Sequence, residues 1–147
     1  MPVITFPYLL EQDESGAIVC RPQARIHVQT ADGCWQPFRL YADACADLTL
    51  LRQVDCERLG YPLEEGELRY IGGVCSGLIP IHIHTLTLRL GTEEFPCPIA
   101  FAKGADVPRL LGREGVFQRF IVCYDETDKV THFITKPDAH RYLTLPL

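Results

Sequence analysis

The chain has 147 residues, 47% of them hydrophobic and 22% charged, and a formal net charge of -5. That length suits one domain around one hydrophobic core and leaves no room for a second catalytic lobe. Ordinary globular composition with an acidic balance gives no electrostatic footprint for nucleic acid or an anionic membrane, so neither is an expected partner.

The first stretch, "MPVITFPYLLEQDESG", has no basic leader followed by a long apolar run, and no later segment approaches the ~18 apolar residues of a membrane span. A soluble cytoplasmic protein is the expectation. Residues 1–21 read as an irregular arm, 22–135 as the domain and 136–147 as a tail. "ARIHVQTADGCWQPFRLYAD" alternates, breaks at Asp32-Gly33 and alternates again, which predicts a hairpin that delivers Asp43 at its end. "LTLLRQVDCERLGYPL" has apolar residues at 48, 50, 51, 54 and 59 and stops at Gly60 and Pro62, the pattern of a short helix.

The β period then returns. "ELRYIGGVCSGLIPIHIHTLTLRL" predicts a long hairpin with a small, glycine-rich and hence mobile middle. "GTEE" is a tight turn into "FPCPIAFA", a strand whose two prolines suit an edge or a bulge. "VPRLLGREGVFQRF" joins a buried apolar run to a glycine turn and a second short helix, and "FIVCYDETDKVTHFIT" is a last hairpin turned at "DETD". The sum is mostly β with one or two short helices, a small closed barrel or a sandwich.

Seven cysteines are an odd number, and no pair has the C-x-x-C spacing of a zinc or redox site, so free thiols are expected. His82 and His84 share one strand face and have no third ligand placed by spacing. They read as a solvated face with Ile81 and Ile83 turned inward, and neither metal nor cofactor is expected.

"RLYADACADLTLL" raises the chemical question, because it sets Asp43 and Asp47 in an otherwise apolar segment. A carboxylate buried without partners costs several kcal/mol, so Asp43 is either a solvated turn residue or a group held for chemistry. Gly72, Gly73 and Gly77 are open in the same way, as an ordinary hairpin turn or as a covering flap.

Three ordered blocks resemble the retropepsin-like aspartic proteases, including their bacterial single-domain members. "DACADLTLL" lies over the family's D-T-G-A-D-x-T-x-L pattern, "RYIGGVCSGLIP" over its flap, and "RLLGREGVFQRFIVCYD" over its apolar-apolar-Gly segment. The resemblance implies a closed acid-protease barrel, an aspartic endopeptidase of peptide or protein substrates, and a homodimer that pairs two copies of Asp43. It further implies an active-site loop of Ala44, Cys45, Ala46 and Asp47, a flap of Ile71, Gly72, Gly73 and Val74, and supporting residues Leu111, Gly112 and Arg113. It also implies an ion pair between Asp47 and Arg113.

The chain departs from that pattern at the most sensitive point, with Ala44 where the family has Thr or Ser and Cys45 where it has Gly. The family's hydroxyl locks the two Asp loops across the dimer, and its glycine leaves room for substrate backbone and for a turn geometry that a Cβ disfavours. Two expectations follow: a weakened peptidase, or a catalytically dead module that binds peptides. A third reading makes Cys45 a nucleophile, against which stand two neighbouring carboxylates and the lack of a histidine placed by spacing.

Overall fold

Alternating apolar and polar residues become strands throughout the computed structural model, which describes residues 3–72 and 77–144. The strands are β1 (Val3–Pro7), β2 (Leu9–Gln12), β3 (Ile18–Arg21), β4 (Gln23–Gln29), β5 (Trp35–Ala42) and β6 (Thr49–Arg52). They continue as β7 (Glu67–Gly72), β8 (Leu78–Leu90), β9 (Glu93–Ala102), β10 (Leu110–Leu111), β11 (Phe120–Asp125) and β12 (Val130–Thr135). A single α-helix, α1 (Gln53–Leu59), and two 3-10 segments, Leu63–Glu65 and Lys136–Arg141, complete the described residues.

Hydrogen bonding runs β4-β5-β10-β6-β9-β8 and returns from β8 to β4 through His27↔Arg89 and Val28↔Leu88, so the strands close into a ring. The expected closed β barrel is this ring. β7 hangs outside it on β8, β1-β12-β11 form a separate sheet, and β2 and β3 form a hairpin of their own. Ile26, Leu40, Leu51, Leu88, Phe101 and Leu111 fill the interior, and Phe120 and Phe133 meet edge to face at 6.0 Å where the smaller sheet packs on it.

Several local expectations change. The stretch 1–21, read as an irregular arm, carries β1, β2 and β3, and β1 pairs with β12 from Val3↔Ile134 to Pro7↔Val130. Its Ile4, Phe6 and Tyr8 do alternate, and Phe6 stands edge-on to Phe133 at 5.9 Å. Thr49, Leu50 and Leu51 of "LTLL" belong to strand β6 rather than to the helix, and all three are buried between β10 and β9. A continuous apolar run covered on both faces carries no period with which to tell strand from helix.

The helix that does form ends at Gly60, whose left-handed φ of 85° lets its N–H reach the carbonyls of Cys56 and Glu57. The second short helix expected after Gly112 is a succession of turns instead, in which Phe117 N–H bonds to Arg113 O at 2.8 Å. β9 explains its prolines, since β6 covers only residues 99–102 while Pro96 and Pro98 lie where β8 is the sole partner.

His82 and His84 do not form a solvated face. The Leu63–Glu65 turn covers them, His82 is 4% exposed and pairs with Gly66 O at 3.2 Å, and His84 pairs with Leu63 O at 3.2 Å.

Candidate active site

Asp43 follows directly from β5, whose last residues Tyr41 and Ala42 run parallel to Leu110 and Leu111 of β10. Two apolar strands deep in the ring therefore aim their ends at one place. Asp43 N–H donates to Leu111 O at 3.0 Å, and its carboxylate accepts the N–H of Cys45 at 2.9 Å. The chain reverses there, with Asp43 half-buried and Ala44 and Cys45 exposed. An Asx turn of this kind fixes one carboxylate oxygen and leaves the other free.

The returning strand is tied to the Gly112 turn from both sides. Arg113 N–H donates to Ala46 O at 2.9 Å and Glu114 N–H to Asp47 O at 2.9 Å, while Gly112 N–H reaches the buried Thr49 hydroxyl at 3.2 Å. Asp47 and Arg113 also meet as an ion pair, with both side chains largely in solvent. Gly112 is dictated by space, because a Cβ there would stand 2.3 Å from the Leu48 carbonyl carbon and oxygen. Leu111, Gly112 and Arg113 thus all touch the Asp loop by backbone or side chain.

A cleft of about 630 Å³ opens beside this loop, between Asp47 and Leu48 on one wall and Tyr70, Ile71 and Ile81 of the β7-β8 hairpin on the other. Beneath it Leu50, Ile81, Ala100, Ala102 and Val107 make a small apolar cluster with Ile71 and Ile79 at its margin. Gly72 pairs with Leu78 at the last rung of the hairpin, and Gly73 and Val74 lie outside the described residues. Among the described residues no cluster of His, Cys, Asp and Glu could hold a metal ion.

No protein-family model matches the chain, and no curated protein matches it in sequence. Among solved structures it is similar to a retropepsin-like aspartic protease from Rickettsia conorii, with a TM-score of 0.57 at 18% identity over 89% of this chain and 91% of that one. This chain has a retropepsin-like fold. The likeness is one of fold, and Asp43-Ala44-Cys45 is this chain's own sequence. Among the described residues no helix is long and apolar enough to cross a membrane.

Within that retropepsin-like fold the Asp43-Ala44-Cys45 turn is relaxed. Lys129 is the one described non-glycine residue with positive φ, so Cys45 carries its Cβ without the left-handed strain expected of a glycine position. Two further contacts were not legible in the sequence. Tyr124 of β11 donates its hydroxyl to Ala42 O at 3.0 Å, one residue before Asp43, and burial, then the Asp43 charge, raise its pKa. The second is Asp55 in α1, fully buried and gripped by Arg109 through two bonds of 2.8 and 2.9 Å, with the Arg52 N–H adding a third at 2.9 Å. Asp55 lay among the charged positions of the expected helix, a place that usually means solvent, and nothing in the spacing pointed to residue 109 as its partner.

Proposed function

We propose that the chain is one subunit of a homodimeric aspartic endopeptidase, cytoplasmic and without a cofactor, that hydrolyses peptide bonds with Asp43 of each subunit. The observation that carries this reading is the placement of Asp43 in a retropepsin-like fold, at the tip of a ring strand and held by Leu111 and Cys45. One subunit supplies one such carboxylate, so a catalytic pair needs a second copy across a two-fold axis.

Two carboxylates that close share one proton, and the titration belongs to the pair. The ionised member takes a proton from a water as its oxygen attacks the peptide carbonyl carbon. The protonated member gives its proton to the carbonyl oxygen, which yields a tetrahedral diol. The first carboxyl then gives its proton to the nitrogen while the other carboxylate takes one from a diol hydroxyl, so that the C=O re-forms, the C–N bond breaks, the amine leaves and the pair is left with one proton. Substrate lies extended in the cleft under the β7-β8 hairpin, where Ile71, Gly72, Gly73 and Val74 act as flap and exclude water. Leu111, Gly112 and Arg113 hold the loop, and Ala46 and Asp47 form its far side.

Ala44 has no hydroxyl with which to lock one loop to its mate, and Cys45 adds bulk where substrate backbone passes, so turnover is slow. Misplacing a catalytic group by an ångström costs about 100-fold in rate. The test is cleavage of a broad peptide library between about pH 4 and 7, where a dyad holds one proton. Native protein should cleave slowly, Asp43→Asn not at all, and Ala44→Thr with Cys45→Gly faster than native. Turnover that survives Asp43→Asn removes the aspartic mechanism. The missing hydroxyl at Ala44 also favours a second reading, a dead peptide-binding module, and peptide binding with no turnover even in the double variant would select it.

A further inference from the structure

We propose that a bowl on the outer wall of the ring, lined by none of residues 43–47, binds a phosphoryl oxyanion through Arg39, Arg52 and Arg109. The bowl holds about 290 Å³ and is lined by these arginines together with Leu9, Tyr41 and Pro108. Its guanidinium groups come from β5, from the end of β6 and from the segment before β10, three separate elements. Such groups approach an anion from more than one plane, which suits the tetrahedral oxygens of a phosphoryl group better than a flat carboxylate.

Two of the arginines are pinned with donors to spare. Arg52 Nε donates to Val107 O at 2.7 Å and its Nη1 lies 3.0 Å from Asp106, which leaves Nη2. Arg109 spends Nε and Nη2 on the buried Asp55 and keeps Nη1. A guanidinium fixed along one edge loses little further freedom when a ligand takes the other. Asp106 is 86% exposed, so its charge is heavily screened and it offsets Arg52 only weakly.

Arg39 has no carboxylate partner among the described residues, and it faces another cation. The β4-β5 register places Arg25 directly opposite Arg39, both exposed, with no ion pair to either among the described residues. Like charges in that position destabilise a sheet. The carboxylate of Glu11 also meets the bowl, where it accepts the Tyr41 hydroxyl, but it is paired with Arg21 at 3.2 Å and makes no ion pair with Arg25 or Arg39 among the described residues. An anion bridging the rim of the bowl relieves the repulsion, and this is the role assigned to the pair.

Titration calorimetry of inorganic phosphate and pyrophosphate into the full chain, at fixed ionic strength in chloride, tests the site. Saturable binding at about 1 mM or tighter is expected, weakened about tenfold or more by Arg39→Gln and several-fold by Arg25→Gln. Arg141→Gln, at the far 3-10 segment, and Asp43→Asn should leave it unchanged, which separates this site from the proposed peptidase centre. Heat no greater than that of added chloride, or affinity that persists in a folded Arg39→Gln protein, overturns the proposal. Succinate binding as tightly as phosphate overturns the phosphoryl assignment.

Discussion

The two sides of the cleft are built differently. The Asp loop and the Gly112 turn are bound to each other by backbone N–H groups from Asp43, Gly112, Arg113 and Glu114, over the buried Leu111 and Thr49. Among the described residues the β7 side has β8 as its only strand neighbour, and it leaves Leu68 51% and Tyr70 60% exposed. One side is a platform of two segments joined by backbone hydrogen bonds, and the other is a ribbon anchored along one edge. A catalytic carboxylate needs the first and a covering element needs the second, because closure requires a part that opens at small free-energy cost.

Substitutions on the two sides should therefore differ most in stability. Gly112→Ala forces a methyl group into the Leu48 backbone and should cost about 3 kcal/mol or more, whereas Tyr70→Ala should stay within about 0.5 kcal/mol. Denaturant melts of both variants check this, and equal losses would erase the distinction. Next in size is Asp55→Ala, which strips Arg109 of its partner behind the platform. A loss of about 2 to 3 kcal/mol is expected, below the full cost of a wholly buried pair because Arg109 is 30% exposed.

The platform also carries an alkaline weakness. Burial pushes the Cys97 thiol from an ordinary 9.0 up to about 12, where its Sγ lies 3.7 Å from Glu114 O, and pushes Cys56 up to about 11. A pKa raised by folding stabilises the native state fully below the unfolded value and loses that contribution as pH climbs toward the folded one. Unfolding free energy measured under reducing conditions should thus fall above pH 9.0, by about 1.4 kcal/mol per pH unit for each buried thiol, and Cys97→Ala should shallow the slope. The smallest effect belongs to Asp47 and Arg113. Their side chains are 81% and 54% exposed, so a double-mutant cycle with alanine should give a coupling of about 0.2 to 1 kcal/mol. A larger value would mean that the pair, rather than the backbone bonds beside it, holds the loop.

The β4-β5 hairpin, the β7-β8 hairpin and the last hairpin were legible because a period of two and their turn residues agree locally. β6 was not, because burial on both faces erased the period, and the histidine face was misread because a covering turn distant in sequence leaves no mark on the strand it covers. The loop from Asp43 to Asp47 and the Gly112 turn could be singled out by motif, and the ion pair between them was expected from the same resemblance. Tyr124 could not, since a tyrosine in an alternating strand looks the same whether its hydroxyl meets water or the backbone beside Asp43. Asp55 and Arg109 are separated by 54 positions, and long-range pairs of that sort follow only from the fold.

The central claim is that two copies of Asp43 act as one catalytic unit, and subunit mixing tests it most directly. Native and Asp43→Asn chains are combined at constant total concentration, allowed to exchange, and assayed for peptide cleavage at mildly acidic pH. If the dyad is shared, the rate follows the square of the native fraction, and an equal mixture retains about a quarter of the native rate. A decline in direct proportion to the native fraction, about half at equal mixing, would mean that each chain acts alone and would contradict the account.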